Sequence, residues 1–154
     1  MLLLTCYTAN AQDMDAVFGV VPGQEVPNAT QDFGDSQFSV YERPVSAEPL
    51  SEYFQHIEVT VVPPRTIAVI SALRAYENGR DCMKDRADLE RVLERVFPVI
   101  RDPELGVRET EEKETRLSLS CSTSGSVPYY SLKLNVTHQP SLDVLRKALF
   151  EQNH

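Results

Sequence analysis

Apolar and polar positions alternate most regularly in the middle of the chain. Across residues 53–62, Ile57, Val59 and Val61 fall on one face and His56, Glu58 and Thr60 on the other, the period-two pattern of a half-buried antiparallel strand. A turn of Pro63, Pro64, Arg65 and Thr66 follows. Residues 67–75 are then nearly all apolar, with Ala68, Ile70 and Ala72 against Val69, Ser71 and Leu73, which predicts a central strand covered on both sides. The signal Glu77, Asn78, Gly79 closes it with a turn. From Asp81, which has N-cap chemistry, to about Phe97 the period changes. Ala87, Leu89, Val92, Leu93, Val96, Phe97 and Ile100 form one apolar stripe, and Glu90, Arg91, Glu94 and Arg95 the solvated face of an amphipathic helix that Pro98 ends or tightens.

The same order returns, shortened, over residues 116–152. Leu117, Leu119 and Cys121 share one strand face with Ser118 and Ser120 opposite, 122–128 is a turn-rich link, and Tyr130, Leu132, Leu134 and Val136 alternate on the partner strand. Pro140 suits a first helical turn, and Leu142, Leu145, Leu149 and Phe150 give a second apolar stripe. Segments 89–97 and 142–150 both run from Leu to Phe, so a ββα repeat is one reading and chance likeness between amphipathic helices the other.

Elsewhere the pattern is weaker. Residues 12–37 show little periodicity: 18–23, Phe-Gly-Val-Val-Pro-Gly, reads as a brief extended segment and a turn, and 24–34 as a surface loop. No Lys-Ser/Thr follows these glycines and the dinucleotide spacing is missing, so Gly23 serves the backbone rather than a phosphate. Residues 36–42 predict a short edge strand, with Phe38 and Val40 on one face and Gln37, Ser39 and Tyr41 on the other. Residues 101–114 read as a solvated, mobile loop; its Glu109, Glu111, Glu112 and Glu114 lack the Asp/Gly framework of a calcium loop. The expected architecture is a single α+β domain over 12–154, an antiparallel sheet of about five strands with both amphipathic helices on one face.

Composition narrows the partners. With 154 residues the chain can bury a full core, and its net charge of −8, with no dense Lys/Arg block, argues against nucleic acid and anionic membrane surfaces. Neither disorder nor stable membrane insertion fits 42% hydrophobic and 25% charged residues.

Residues 1–11 read as the remnant of a secretory signal. Three leucines precede Ala9-Asn10-Ala11, the small-x-small form cleaved by signal peptidase. The basic n-region is missing and the apolar stretch is short, which points to a start upstream of Met1 or a shortened chain. Cleavage after Ala11 would remove Cys6 and leave two cysteines for one disulfide, Cys82 to Cys121, against the alternative of two buried free thiols. A second export route is a lipid anchor through Cys6 in Leu3-Leu4-Thr5-Cys6, although Thr5 stands where Gly, Ala or Ser is usual.

Candidate chemistry is sparse. His56 and Glu58 point the same way but need further ligands that neither His138 nor His154 supplies, so no metal is expected. Ser118, Ser120, Ser122, Ser124 and Ser126 lack a nucleophile elbow, and Cys82 lacks a Cys-x-x-Cys partner, so no catalytic residue and no cofactor is assigned. Asn28 and Asn135 match the glycosylation sequon, the second inside a predicted strand. Tyr53, Phe54, Tyr76, Tyr129 and Tyr130 sit at strand edges, where they pack the sheet or line a groove.

The Phe18-Gly19 segment, the tyrosine-containing hairpin, a helix with Cys82 near its start and a later strand carrying Cys121 resemble small exported bacterial proteins of uncharacterised function. The resemblance, over residues 17–150, implies a periplasmic α+β domain and carries no catalytic residues. The functional expectation is therefore an exported envelope protein, periplasmic or secreted, that works as a non-enzymatic binding or interaction module. The alternatives are a small inhibitor or immunity-type protein, and a hydrolase. A deep polar pocket holding His56 and carboxylates would favour the enzyme, a flat aromatic groove the binding module.

Overall fold

The computed structural model describes residues 9–26, 38–45, 48–123 and 129–152. Cys6, Asn28, Ser124, Ser126, His154 and most of the predicted 24–34 loop lie outside these residues. The strands are β1 (Ser39–Pro44), β2 (His56–Val62), β3 (Thr66–Tyr76), β4 (Val99–Asp102), β5 (Val107–Glu109), β6 (Thr115–Thr123) and β7 (Tyr130–His138). The helices are α1 (Ala9–Phe18), α2 (Gly79–Leu93) and α3 (Gln139–Gln152), with a 3₁₀ turn at Leu50–Glu52. All seven strands form one antiparallel sheet in the order β1-β2-β3-β7-β6-β5-β4. The α+β class stands; the sheet is wider than expected because 99–109 adds two strands.

Alternation along the strands divides the sheet into two faces. Ile57, Val59, Ile70, Ala72, Leu132, Leu134, Val136, Leu117 and Leu119 turn to one side, where they meet Leu89 and Leu93 of α2 and Met14, Phe18, Val20, Leu50 and Phe54 from the N-terminal third. This is the main core. Cys82, fully buried in α2, is bonded there to Cys121 of β6, with the two Cα atoms 6.0 Å apart. The bridge closes a 39-residue separation, a constraint worth roughly 3 to 4 kcal/mol in the chain-entropy account.

The expectation of two helices on one face is corrected. α3 contacts β3, β2 and β7, yet none of its described residues joins the main core; Val62 and Ala68 are buried outside that core. A register shift between Thr60 and Val61 makes this switch in β3 alternation. β3 is therefore covered on both sides only in its first half: Leu73, further along, is 61% exposed. The two ββα units share an element order, β2-β3-α2 and β6-β7-α3.

Three further boundaries move. α2 starts at Gly79 rather than Asp81, because the Asn78 side chain accepts the Asp81 N–H at 2.9 Å and takes the cap position. α1 occupies residues read as aperiodic; it is a short helix whose Met14 and Phe18, four apart on one side, anchor it in the core, and Gly19, at φ +67°, ends it. The Ala11–Gln12 bond falls within this helix, and a cut there would leave Met14 and Phe18 in place. Finally, 101–114 is not a solvated loop: it contains most of a β4–β5 hairpin whose Arg108, Glu109 and Thr110 are buried.

Candidate functional site

The half of the sheet that α3 leaves uncovered is polar. Glu58 of β2, Ser71 and Leu73 of β3, and Lys133 and Asn135 of β7 project from this face at registered positions: Glu58 pairs with Ser71, Ser71 with Asn135, and Leu73 with Lys133. Glu42 of β1 stands opposite Glu58, and the 51–55 segment forms a rim, so that these residues enclose a half-open trough of about 720 Å³. Its walls carry both signs of charge, with Glu42, Glu52 and Glu58 against Arg74 and Lys133.

His56 and Glu58 share the solvent-facing side, as their spacing predicts. His56 Nδ1 lies 3.7 Å from Glu42 Oε1, and both side chains are open to water, 50% and 66% exposed. Arg74 braces the rim by donating to the Glu52 and Tyr53 carbonyls at 3.1 and 3.4 Å. Burial first, then the nearby carboxylates of Asp88, Glu52 and Asp85, hold the Tyr53 phenol above its ordinary pKa, so it acts as a neutral hydroxyl at the trough edge.

The aromatic residues do not make a flat groove. Tyr53 and Phe54 line the trough, but Phe54 and Tyr76 are buried, Tyr130 packs against the core, and Tyr129 is exposed elsewhere. Ser118 and Ser120 face the open side of the sheet as an outer strand face should, and Asn135, the second sequon, is exposed between them and the trough. His138 is occupied structurally: its Nδ1 is 2.7 Å from the Ser141 hydroxyl, its Nε2 is 3.8 Å from Glu114, and its ring packs against Gly23, where a Cβ would come within 2.7 Å. Gly23, at φ +86°, thus answers a backbone need, as expected.

A second polar cluster was invisible as a site in the sequence. Glu109, read as one of four loop carboxylates, turns inward from the middle strand of β4-β5-β6 and lies 3.2 Å from Arg101 and 3.1 Å from Arg116. On the core face, Arg108 reaches Glu90 of α2 at 3.4 Å and donates to the Phe97 carbonyl at 3.3 Å. These guanidinium contacts with carboxylates are close but off the N–H axis, so they act as ion pairs more than as aligned hydrogen bonds. Cross-strand pairing of Glu109 with Arg116 was the signal available, and it needed the β5–β6 register to be read.

Among the described residues no group of three or more His, Cys, Asp or Glu side chains could hold a metal ion, and no helix is long and apolar enough to cross a membrane. The fold and site thus define an α+β domain with a disulfide-stapled core on one sheet face and a solvated polar trough on the other. No family model, curated protein or solved structure matches the chain.

Proposed function

We propose that this protein is a non-enzymatic binding module of the bacterial envelope that holds a polar ligand in the trough on the open sheet face. The observation that carries the reading is the trough itself: about 720 Å³ of half-open space on a rigid sheet, lined by solvated donors and acceptors of both signs. The acidic wall of Glu42, Glu52 and Glu58 selects a ligand with a cationic group, such as the Lys or Arg of a short peptide. The buried Cys82–Cys121 bridge supports an oxidising compartment, in keeping with periplasmic or secreted location. The test is an amide-resonance titration with a Lys-rich hexapeptide and an Asp-rich counterpart. The basic peptide should shift the amides of Glu58, Ser71, Leu73 and Lys133, and Glu58→Lys should abolish the effect; no shift with either peptide refutes the reading.

One observation favours a hydrolase as the second reading: His56 and Glu42 sit together in this same cavity, with Ser51 and Ser71 on its walls. A general base needs its partner's proton within hydrogen-bond reach, and the solvated His56 has the Glu42 carboxylate 3.7 Å away. Hydrolysis of peptide or ester probes that is lost in His56→Ala, with folding intact, would establish the enzyme over the binding module.

A further inference from the structure

We propose that the Arg101–Glu109–Arg116 cluster is an oxyanion-binding subsite, taking the carboxylate or phosphate group of a small ligand. It occupies the same face as the trough and a neighbouring cavity of about 390 Å³ that shares only Asn135 with it among the described residues, and it is independent of the trough's cationic ligand. Glu109 does not itself line the cavity but holds the two arginines that do: its side chain is 6% exposed, and a single carboxylate is shared by two guanidinium groups at 3.2 and 3.1 Å. One charge is thus left over between them.

Both guanidinium groups lie between this buried carboxylate and water, 51% and 35% exposed, and both line the cavity. The register shift between Ile100 and Asp102 in β4 turns Arg101 and Asp102 together toward this side. Asp102 would oppose an anion, but its Oδ1 is taken by the Glu104 and Leu105 N–H groups at 3.1 Å each, which folds its charge into the 103–106 turn. The remaining polar lining can donate: Ser118, Asn135, and Thr137, whose oxygen already accepts from Gln139 Nε2 at 3.0 Å and so leaves its own proton free. Leu105 and Val107 supply an apolar wall for the rest of the ligand. Arginines ion-paired to one fixed carboxylate are held near it before the ligand arrives, and their guanidinium donors suit capture of a planar or tetrahedral oxyanion.

The experiment is calorimetric and amide-resonance titration of the full chain at low ionic strength with inorganic phosphate and, separately, with succinate. Saturable binding of either, with shifts centred on Arg101, Arg116 and Ser118, is expected; the arm that binds more tightly assigns a phosphate or a carboxylate ligand. Arg116→Gln should weaken binding by about tenfold or more. Arg101→Gln, at a half-exposed position, should do the same without loss of fold, checked by an unchanged melting curve. Arg91→Gln on the solvent side of α2 should bind as the parent does. No saturation with either anion up to about 10 mM, or affinity in Arg101→Gln and Arg116→Gln unchanged from that of the parent, would overturn the proposal.

Discussion

The Tyr76 hydroxyl donates to Asp85 Oδ2 at 2.7 Å, tying the last residue of β3 to the second turn of α2. Arg74 completes the knot, 3.9 Å from Asp85 and with its guanidinium 5.0 Å from the Tyr76 ring centre. Burial, followed by the bond to Asp85, pushes the Tyr76 phenol well above its ordinary pKa of 10.0. The neutral phenol is favoured by the fold, so this contribution is whole below pH 10 and falls as pH rises above it, where only the unfolded chain gives up the proton. Tyr76→Phe should cost about 1 kcal/mol at neutral pH and flatten the alkaline loss of stability, as measured by urea titrations from pH 8 to pH 11.

The Cys82–Cys121 bridge should be inert in the native protein, since Cys82 is fully buried. Mass spectrometry should find no alkylation at either residue until the chain is both unfolded and reduced. The double substitution Cys82→Ala, Cys121→Ala should lower stability by about 3 kcal/mol in denaturant titrations. Free thiols at both positions in protein taken from its native compartment would remove the main support for export.

Replacing Glu109 leaves two guanidinium groups facing each other with no carboxylate between them. Glu109→Ala should destabilise by about 1 to 3 kcal/mol, the half-exposed arginines keeping part of their hydration. Glu111→Ala and Glu112→Ala, on exposed positions of the β5–β6 turn, should change stability by less than about 0.5 kcal/mol. Equal effects at all these positions, in the same denaturant assay, would return Glu109 to the solvated loop that the sequence pattern predicts.

Helix α1 buries Met14 and Phe18 in the core, with Val17 partly buried against it, and Phe18 is the largest of the three. Phe18→Ala should cost about 3 kcal/mol and release the amide protons of 12–18 to exchange at rates near those of an unfolded segment. Unchanged protection there would mean that α1 does not depend on the core.

Period-two alternation was strong enough in residues 56–76 and 115–138 to place four of the strands and the faces of their residues, because hydrophobic burial on one side writes itself directly into the sequence. The β4–β5 hairpin escaped because its buried residues are charged: Arg108 and Glu109 satisfy each burial with a partner on another element, and composition alone cannot reveal the partner. α1 escaped because ten residues hold too few turns to establish a period, and its anchors Met14 and Phe18 are only one such pair. The side taken by α3 was hidden for a different reason: an apolar stripe on a helix does not state which face of the sheet it meets, and Phe150 of this stripe is exposed rather than covered. The trough was legible in part, since His56 and Glu58 were placed on the solvent side, but Lys133, Asn135 and the 51–55 rim reach it through long-range pairing.

The order of the strands also bears on how the chain assembles. β3 pairs with β7, Val69 opposite Thr137 and Tyr76 opposite Tyr130, so the centre of the sheet joins segments far apart in sequence. During synthesis β3 emerges with one edge matched by β2 and the other bare until the C-terminal hairpin arrives, an interval in which a sticky apolar ribbon is open to the wrong neighbour. A nascent chain of this protein is therefore expected to lean on holding chaperones until its last helix has cleared the ribosome.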